Sequence, residues 1–181
     1  MEAIFKSEFF KHESARYARI KSPAEMVVVT MRLAGPIKLP SQETYYAQNA
    51  CANMGQALLR PPSVEGWQGG DEWINTGTYV ERINFATKIL DDPKKSGIKD
   101  LLDRIKIGNL ESCITSDDLV EKCLEILGPI NVSAATESGL KKYASKFGTM
   151  SFGEDSDSDD FEQAAVAVIR LIVCTQEYQT V

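Results

Sequence analysis

Apolar residues recur at three- and four-residue intervals along most of this chain, in stretches separated by capping residues, glycines and prolines. That pattern predicts an all-α protein of about seven helices. The clearest start is Ser22-Pro23-Ala24-Glu25, with a hydroxyl at the cap, proline at the first helical position and a carboxylate three residues after the serine, the arrangement of a capping box. The helix it opens, through Met26 to Met31, is apolar on nearly every face and stops at Gly35-Pro36, which places it at the centre of the core. A second helix follows Ser41 and carries Ala47, Ala50, Cys51, Met54 and Leu58 on one stripe. It is expected to run on until Pro61 forbids continuation.

A third helix is predicted after Asn75, Thr76 and Thr78, each able to cap, with Glu81 placed to complete a box with Thr78. Its expected inner face is Tyr79, Ile83, Ala86 and Leu90. The polar residues 91–97 then offer a boundary between two lobes of a single helical domain covering residues 1–181. A short helix is expected near 99–105. Another starts at Ser116-Asp117-Asp118, turns Leu119, Val120, Cys123, Leu124 and Leu127 inward, and closes at Gly128-Pro129. Ser133 caps the next, with Leu140, Tyr143, Ala144 and Phe147 on one face, and the last places Phe161, Ala164, Ala165, Val168 and Ile172 on a stripe. The first residues, AIFKSEFF, also read as helix, without an N-cap. No stretch alternates with period two over a useful length, and no internal repeat is detectable.

Residues 60–73, RPPSVEGWQGGDEW, break the helical pattern. Pro61 and Pro62 lack amide donors, Gly66, Gly69 and Gly70 tolerate positive φ, and Trp67 and Trp73 sit among them. Such a loop is built to hold a defined shape, and two readings of it stay open. The indoles can plug a gap between helices, with Arg60 or Arg82 bonding the loop's carbonyls. Alternatively Arg60, Trp67, Trp73 and Arg82, near Asn84, line a site for a planar or sugar-like ligand, since aromatic faces and guanidinium forks suit such molecules.

Composition removes several function classes. A chain of 181 residues can bury roughly 70% of its unfolded surface, enough for an independent core. Twenty basic against 26 acidic residues give a net charge of −6, and no basic run exceeds two residues, so a nucleic-acid partner is not expected. No apolar run approaches the ~20 residues of a membrane span, and no basic-then-apolar leader is visible. Cys51, Cys113, Cys123 and Cys174 form no close pair and His12 is the single histidine, so no metal or cofactor is expected. Cys51, Cys123 and Cys174 read as buried free thiols, while in an oxidising compartment three full disulfide pairings are open. Nucleophile chemistry lacks a base, because no motif surrounds His12. The segment GWQGGD follows a helix and lacks the Gly-Lys-Ser/Thr ending of a phosphate loop. Glu65, Asp71 and Glu72 could do acid–base work but read as solvated surface. The acidic run 154–160 fails the EF-hand pattern, since counting from Asp155 position six is Asp160 and position twelve is Val166. It reads as a solvated loop and N-cap for the last helix.

The segments 21–35, 54–90 and 171–179 together resemble the C-terminal part of a bacterial family catalogued as domain of unknown function 1800. The match is most specific at Gly55, Arg60, Pro61, Pro62, Gly66, Trp67, Gly70, Trp73, Asn75, Arg82, Asn84 and Phe85. The chain departs from the family pattern in the acidic stretch and at Thr175-Gln176, where the family has Ser-Pro. The resemblance implies part of a large bacterial protein, often exported and often encoded beside another uncharacterised protein, with no established activity. The expected role is a helical interaction module that packs on the upstream portion of the same protein or self-associates, through a face containing Ile4, Phe5, Phe9 and Phe10. The alternative is one wall of a pocket in an enzyme whose catalytic groups lie upstream.

Overall fold

The computed structural model describes residues 2–15, 17–37, 39–107, 113–128, 130–151 and 158–180. Its helices are α1 (Glu2–Phe5), α2 (Glu8–Lys11), α3 (Pro23–Ala34), α4 (Gln42–Asn53), α5 (Thr76–Ile89), α6 (Ser96–Ile107), α7 (Ser116–Leu127), α8 (Ala134–Ala144) and α9 (Ser158–Val173). The seven from α3 onward are the long ones, as the apolar periodicity predicts. A two-stranded antiparallel sheet pairs β1 (Cys113–Ile114) with β2 (Met150–Ser151). Two-residue strands are too short to show period-two alternation, so the sequence pattern gave no sign of them.

The capping box forms as expected: Ser22 Oγ accepts from the Glu25 amide at 3.3 Å, and Glu25 accepts from the Ser22 amide at 2.8 Å. Arg19 adds two bonds to the same carboxylate, at 2.6 and 2.7 Å. That fork, opposed by partial desolvation, pulls the Glu25 pKa from 4.5 to about 2. From this start α3 runs through the centre of one half of the core, packed on α4, α5 and α6, and buries Met26, Val27, Thr30, Met31 and Ala34.

Three expectations about helix limits need correction. Helix α4 ends at Asn53, well before Pro61, because Gly55 takes φ +96° and closes a Schellman motif. The Gly55 amide bonds to Ala52 O at 3.0 Å and the Gln56 amide to Cys51 O at 2.8 Å. Leu58 therefore leaves the apolar stripe and is 40% exposed. Helix α6 spans Ser96–Ile107 instead of the short 99–105 segment, while α7 starts at Ser116 as expected, capped by Thr115. At the N-terminus the expected single helix is two separate turns, since Ser7 caps α2 by accepting from the Phe10 amide.

The inner face of α5 is also shifted. Arg82, Phe85, Ala86, Ile89 and Leu90 are buried, whereas Tyr79 and Ile83 are half-buried. Asn75 is the cap, and Thr78 completes its box in place of Glu81. In α8 the expected face ends at Ala144: Leu140 and Ala144 are buried, while Phe147 lies exposed in a 3₁₀ turn against Tyr143.

In the second half of the chain α7 packs on α6, α8 and α9, while α9 also meets α5 and carries the predicted stripe. Phe161, Ala164, Ala165, Val168 and Ile172 are fully buried. Of the acidic run, residues 154–157 lie outside the described residues. The polar stretch 91–97 is tied down: Lys95 pairs with Glu43 at 3.1 Å and Arg170 with Asp91. Gly97 packs directly on the end of α3, where a β-carbon would stand 2.3 Å from Leu33 O and 2.5 Å from Gly35 N.

That contact yields a paired prediction. Gly97→Ala should lower unfolding free energy in urea titration by about 2 kcal/mol, because backbone on backbone has no flexible end to yield. Gly139→Ala, inside α8 with open space around it, should raise it by about 0.5–1 kcal/mol. Similar effects at both sites would contradict the crossing. A second prediction concerns Glu25. Its folded pKa is depressed, so its contribution is present above pH 4.5 and is lost as pH falls toward 2. The stability gap between wild type and Glu25→Gln, followed by thermal melts, should shrink across that window and stay flat above it.

Candidate functional site

The tryptophan loop is held at both ends. Gln56, just past the Schellman turn, accepts from the Ala24 amide at 2.8 Å, so the loop leaves from the first turn of α3. Residues Ser63 to Gly66 form a tight turn, closed by the Gly66 amide on Ser63 O at 3.1 Å, with Gly66 at φ +97° and Ser63 Oγ accepting from the Glu65 amide. A 3₁₀ turn, Gly70–Trp73, ends the loop, and Thr78 Oγ1 donates to Trp73 O at 3.0 Å across the α5 cap. The loop's apolar side chains face outward: Leu59 is 94% exposed in the left-handed region at φ +61°, and Val64 is fully exposed.

The four candidate residues lie in different surroundings. Arg60 is exposed, and Trp67 and Trp73 are half-buried. The Trp67 Nε1 atom is nevertheless buried and has no hydrogen-bond partner. Arg82 is completely buried, and its bonds do not go to the loop's carbonyls. Nη1 donates to Gln179 Oε1 at 3.0 Å and Nη2 to Lys21 O at 2.8 Å, with Nε unpartnered. Burial pushes the guanidinium pKa below its ordinary value.

Arg82 is the centre of a clasp between the two chain ends. Gln179 Nε2 donates to Val173 O at 3.0 Å, and the Lys21 amide donates to Gln179 O at 2.8 Å. Ile20 and Thr180 form an antiparallel bridge. The Lys21 ammonium bonds to Tyr178 O and stands 4.0 Å from the centre of the Tyr178 ring. Burial draws the Lys21 pKa down to about 8, opposed by Glu25 and reinforced by Arg82, and pushes the Tyr178 phenol up to about 12.

Beside the end of the loop a groove of about 460 Å³ is lined by Ile20, Asp71, Ile74, Tyr79 and Gln176. The Tyr79 hydroxyl there donates to Cys174 O at 3.0 Å. The loop supplies Asp71 and Ile74 follows it directly, while Arg60, Trp67, Trp73 and Arg82 are not among the lining residues. A larger groove, of about 800 Å³, is formed by α4 with the end of α5 and Lys95. Sequence reasoning missed it, because its two walls come from segments some forty positions apart and only the neighbouring aromatics Tyr45-Tyr46 hinted at it.

The remaining candidate groups are chemically quiet. Burial raises the thiol pKa of Cys51 and Cys174, and that of Cys123 to about 12, which disfavours the nucleophilic thiolate. His12 is exposed, with Nδ1 2.8 Å from Ser14 Oγ. Glu65, Asp71 and Glu72 are exposed. Among the described residues no group of three or more His, Cys, Asp or Glu side chains could hold a metal ion, and no helix is long and apolar enough to cross a membrane.

The model of the family described as a protein of unknown function, DUF1800, matches residues 1–180. The chain belongs to this family. No curated protein and no solved structure matches it. The family is described as one of unknown function, and the surfaces of the molecule carry its functional reading.

The clasp and the loop predict opposite sensitivities. Arg82→Met should cost about 3 kcal/mol in denaturant unfolding, since it leaves Gln179 Oε1 and Lys21 O buried without their donors. Trp67→Phe should cost about 1 kcal/mol or less, because the indole nitrogen makes no bond to lose. Equal costs would contradict this division of roles.

Proposed function

We propose that this chain is a protein-interaction module that works by packing against a second protein surface. The observation that carries this reading is the N-terminal segment. Ile4, Phe5, Phe9 and Phe10 are 61, 55, 75 and 52% exposed, and neither α1 nor α2 contains a buried residue. The two turns pack principally on each other and on the following 3₁₀ turn, Glu13–Ala15, with the Phe5 and Phe10 rings edge to face at 5.1 Å.

Single helical turns do not persist alone in water, since so few hydrogen bonds cannot offset the ordering of their backbone. A partner surface would bury the four side chains, each contributing about 1.5–3 kcal/mol when fully covered. The tryptophan loop exposes two further apolar side chains, Leu59 and Val64. The partner is a second copy of this chain or the upstream portion of the same protein. With a net charge of −6 and no basic cluster, nucleic acid is disfavoured.

The second reading, one wall of a ligand pocket near Arg60, Trp67, Trp73 and Arg82, draws support from the groove that Asp71 and Ile74 share with Tyr79. It would show as ligand-dependent quenching of tryptophan fluorescence without any change in assembly state.

Sedimentation velocity separates the two readings. The isolated chain should sediment as a dimer or larger species, or form a complex when the upstream portion is co-expressed. The combined variant Phe5→Ser, Phe9→Ser, Phe10→Ser should be monomeric and solitary, with an unchanged circular dichroism spectrum and melting midpoint. A wild-type chain that stays monomeric at every concentration and ignores the upstream portion would overturn the interaction reading.

A further inference from the structure

The larger groove has the surroundings of a ligand site, and its chemistry is of one kind. Gln42, Tyr45 and Asn49 stand at i, i+3 and i+7 on one face of α4, so two carboxamides flank the Tyr45 ring. That ring is 68% exposed. Tyr46 is the fixed part of the wall: it stacks on the buried Phe85 with ring centres 5.6 Å apart and planes at 21°, and its ring lies 4.1 Å from the Lys88 ammonium. Packing from below and a cation above leave Tyr46 little freedom, whereas a face of Tyr45 is open to solvent.

The charged side chains that line the groove are engaged by neighbours. Lys95 is paired with Glu43 at 3.1 Å, and Glu81 is close enough to Tyr46 to help raise its phenol pKa, after the larger effect of burial. Of the charged groups that line the groove, Lys88 stands over the Tyr46 ring and Lys95 is paired with Glu43. What the walls offer is an open aromatic face between groups that both donate and accept hydrogen bonds, since each carboxamide does both.

We propose that this groove binds a neutral oligosaccharide. A sugar ring has an apolar C–H face that can lie on Tyr45 and a rim of hydroxyls that can use Gln42, Asn49 and the paired Glu43–Lys95 as donors and acceptors. The groove is open to solvent, and its volume of about 800 Å³ leaves room for more than one ring. The site uses none of the N-terminal phenylalanines, so it stands or falls separately from the interaction role.

The test is isothermal titration of the whole chain with cellohexaose, chitohexaose, maltohexaose and xylohexaose, with hexagalacturonate as the acidic comparison. At least one neutral hexasaccharide should bind, and should perturb the side-chain amide NMR signals of Gln42 and Asn49. Tyr45→Ala should weaken that binding about tenfold at an unchanged melting midpoint, since the ring is mostly exposed, while Tyr45→Trp should retain it. The proposal fails if no neutral hexasaccharide binds, if Tyr45→Ala leaves binding intact, or if hexagalacturonate binds more tightly than all four.

Discussion

A guanidinium buried with no carboxylate bonded to it among the described residues is the constraint on which the rest of this structure depends. Arg82 is fully enclosed, and the acceptors that stabilise it are neutral: one carboxamide oxygen and one main-chain carbonyl. Hydrogen bonds to a charged donor are stronger than those between neutral groups, but a buried charge keeps its desolvation cost unless those bonds are made. The acceptors come from residues 21 and 179, so burial of the charge requires both ends of the folded body to lie against α5. Placing Lys21 places Ser22, which caps α3. The first turn of α3 in turn receives Gln56 and fixes where the tryptophan loop departs.

The same residue shows how much of the fold was legible. Periodicity located the long helices because burial on one face forces a 3.6-residue repeat, and α9 follows it from Phe161 to Ile172. On α5 an apolar count points to Tyr79, Ile83, Ala86 and Leu90 and sets arginine on the solvent side. Taking Arg82 with Phe85, Ala86 and Ile89 at i, i+3, i+4 and i+7 gives the true inner face. The overrun of α4 arose similarly: Met54 and Leu58 continue a stripe in one dimension, but Gly55 between them adopts a backbone conformation that ends the helix. The candidate site was less legible than the fold. Trp67 and Arg82 are neighbours in motif but not in role, and the grooves bring together residues such as Tyr45 and Lys95 that share no local pattern.

Burial raises the thiol pKa of Cys51, Cys123 and Cys174, and Glu65, Asp71 and Glu72 are exposed. By contrast, the molecule exposes phenylalanines on two single turns, a leucine and a valine on a braced loop, and a tyrosine between two carboxamides. Large apolar groups held outward in fixed positions cost solvation free energy in the free protein and recover it in contact. The bracing of the loop by Pro61, Pro62 and the Ser63–Gly66 turn means that little conformational entropy remains to be lost when something covers it.

The clasp also orders events during synthesis. Its members are 61 and 97 positions apart along the chain, so no early segment can assemble it. While the ribosome is still translating α9, Arg82 lacks its Gln179 partner and α5 cannot bury its inner face without stranding a charge. Elements such as α3 and α4 can pair beforehand, but the body closes only after residue 179 has cleared the exit tunnel. A chain cut short before residue 179 would leave Arg82 without one of its two acceptors and the inner face of α5 uncovered.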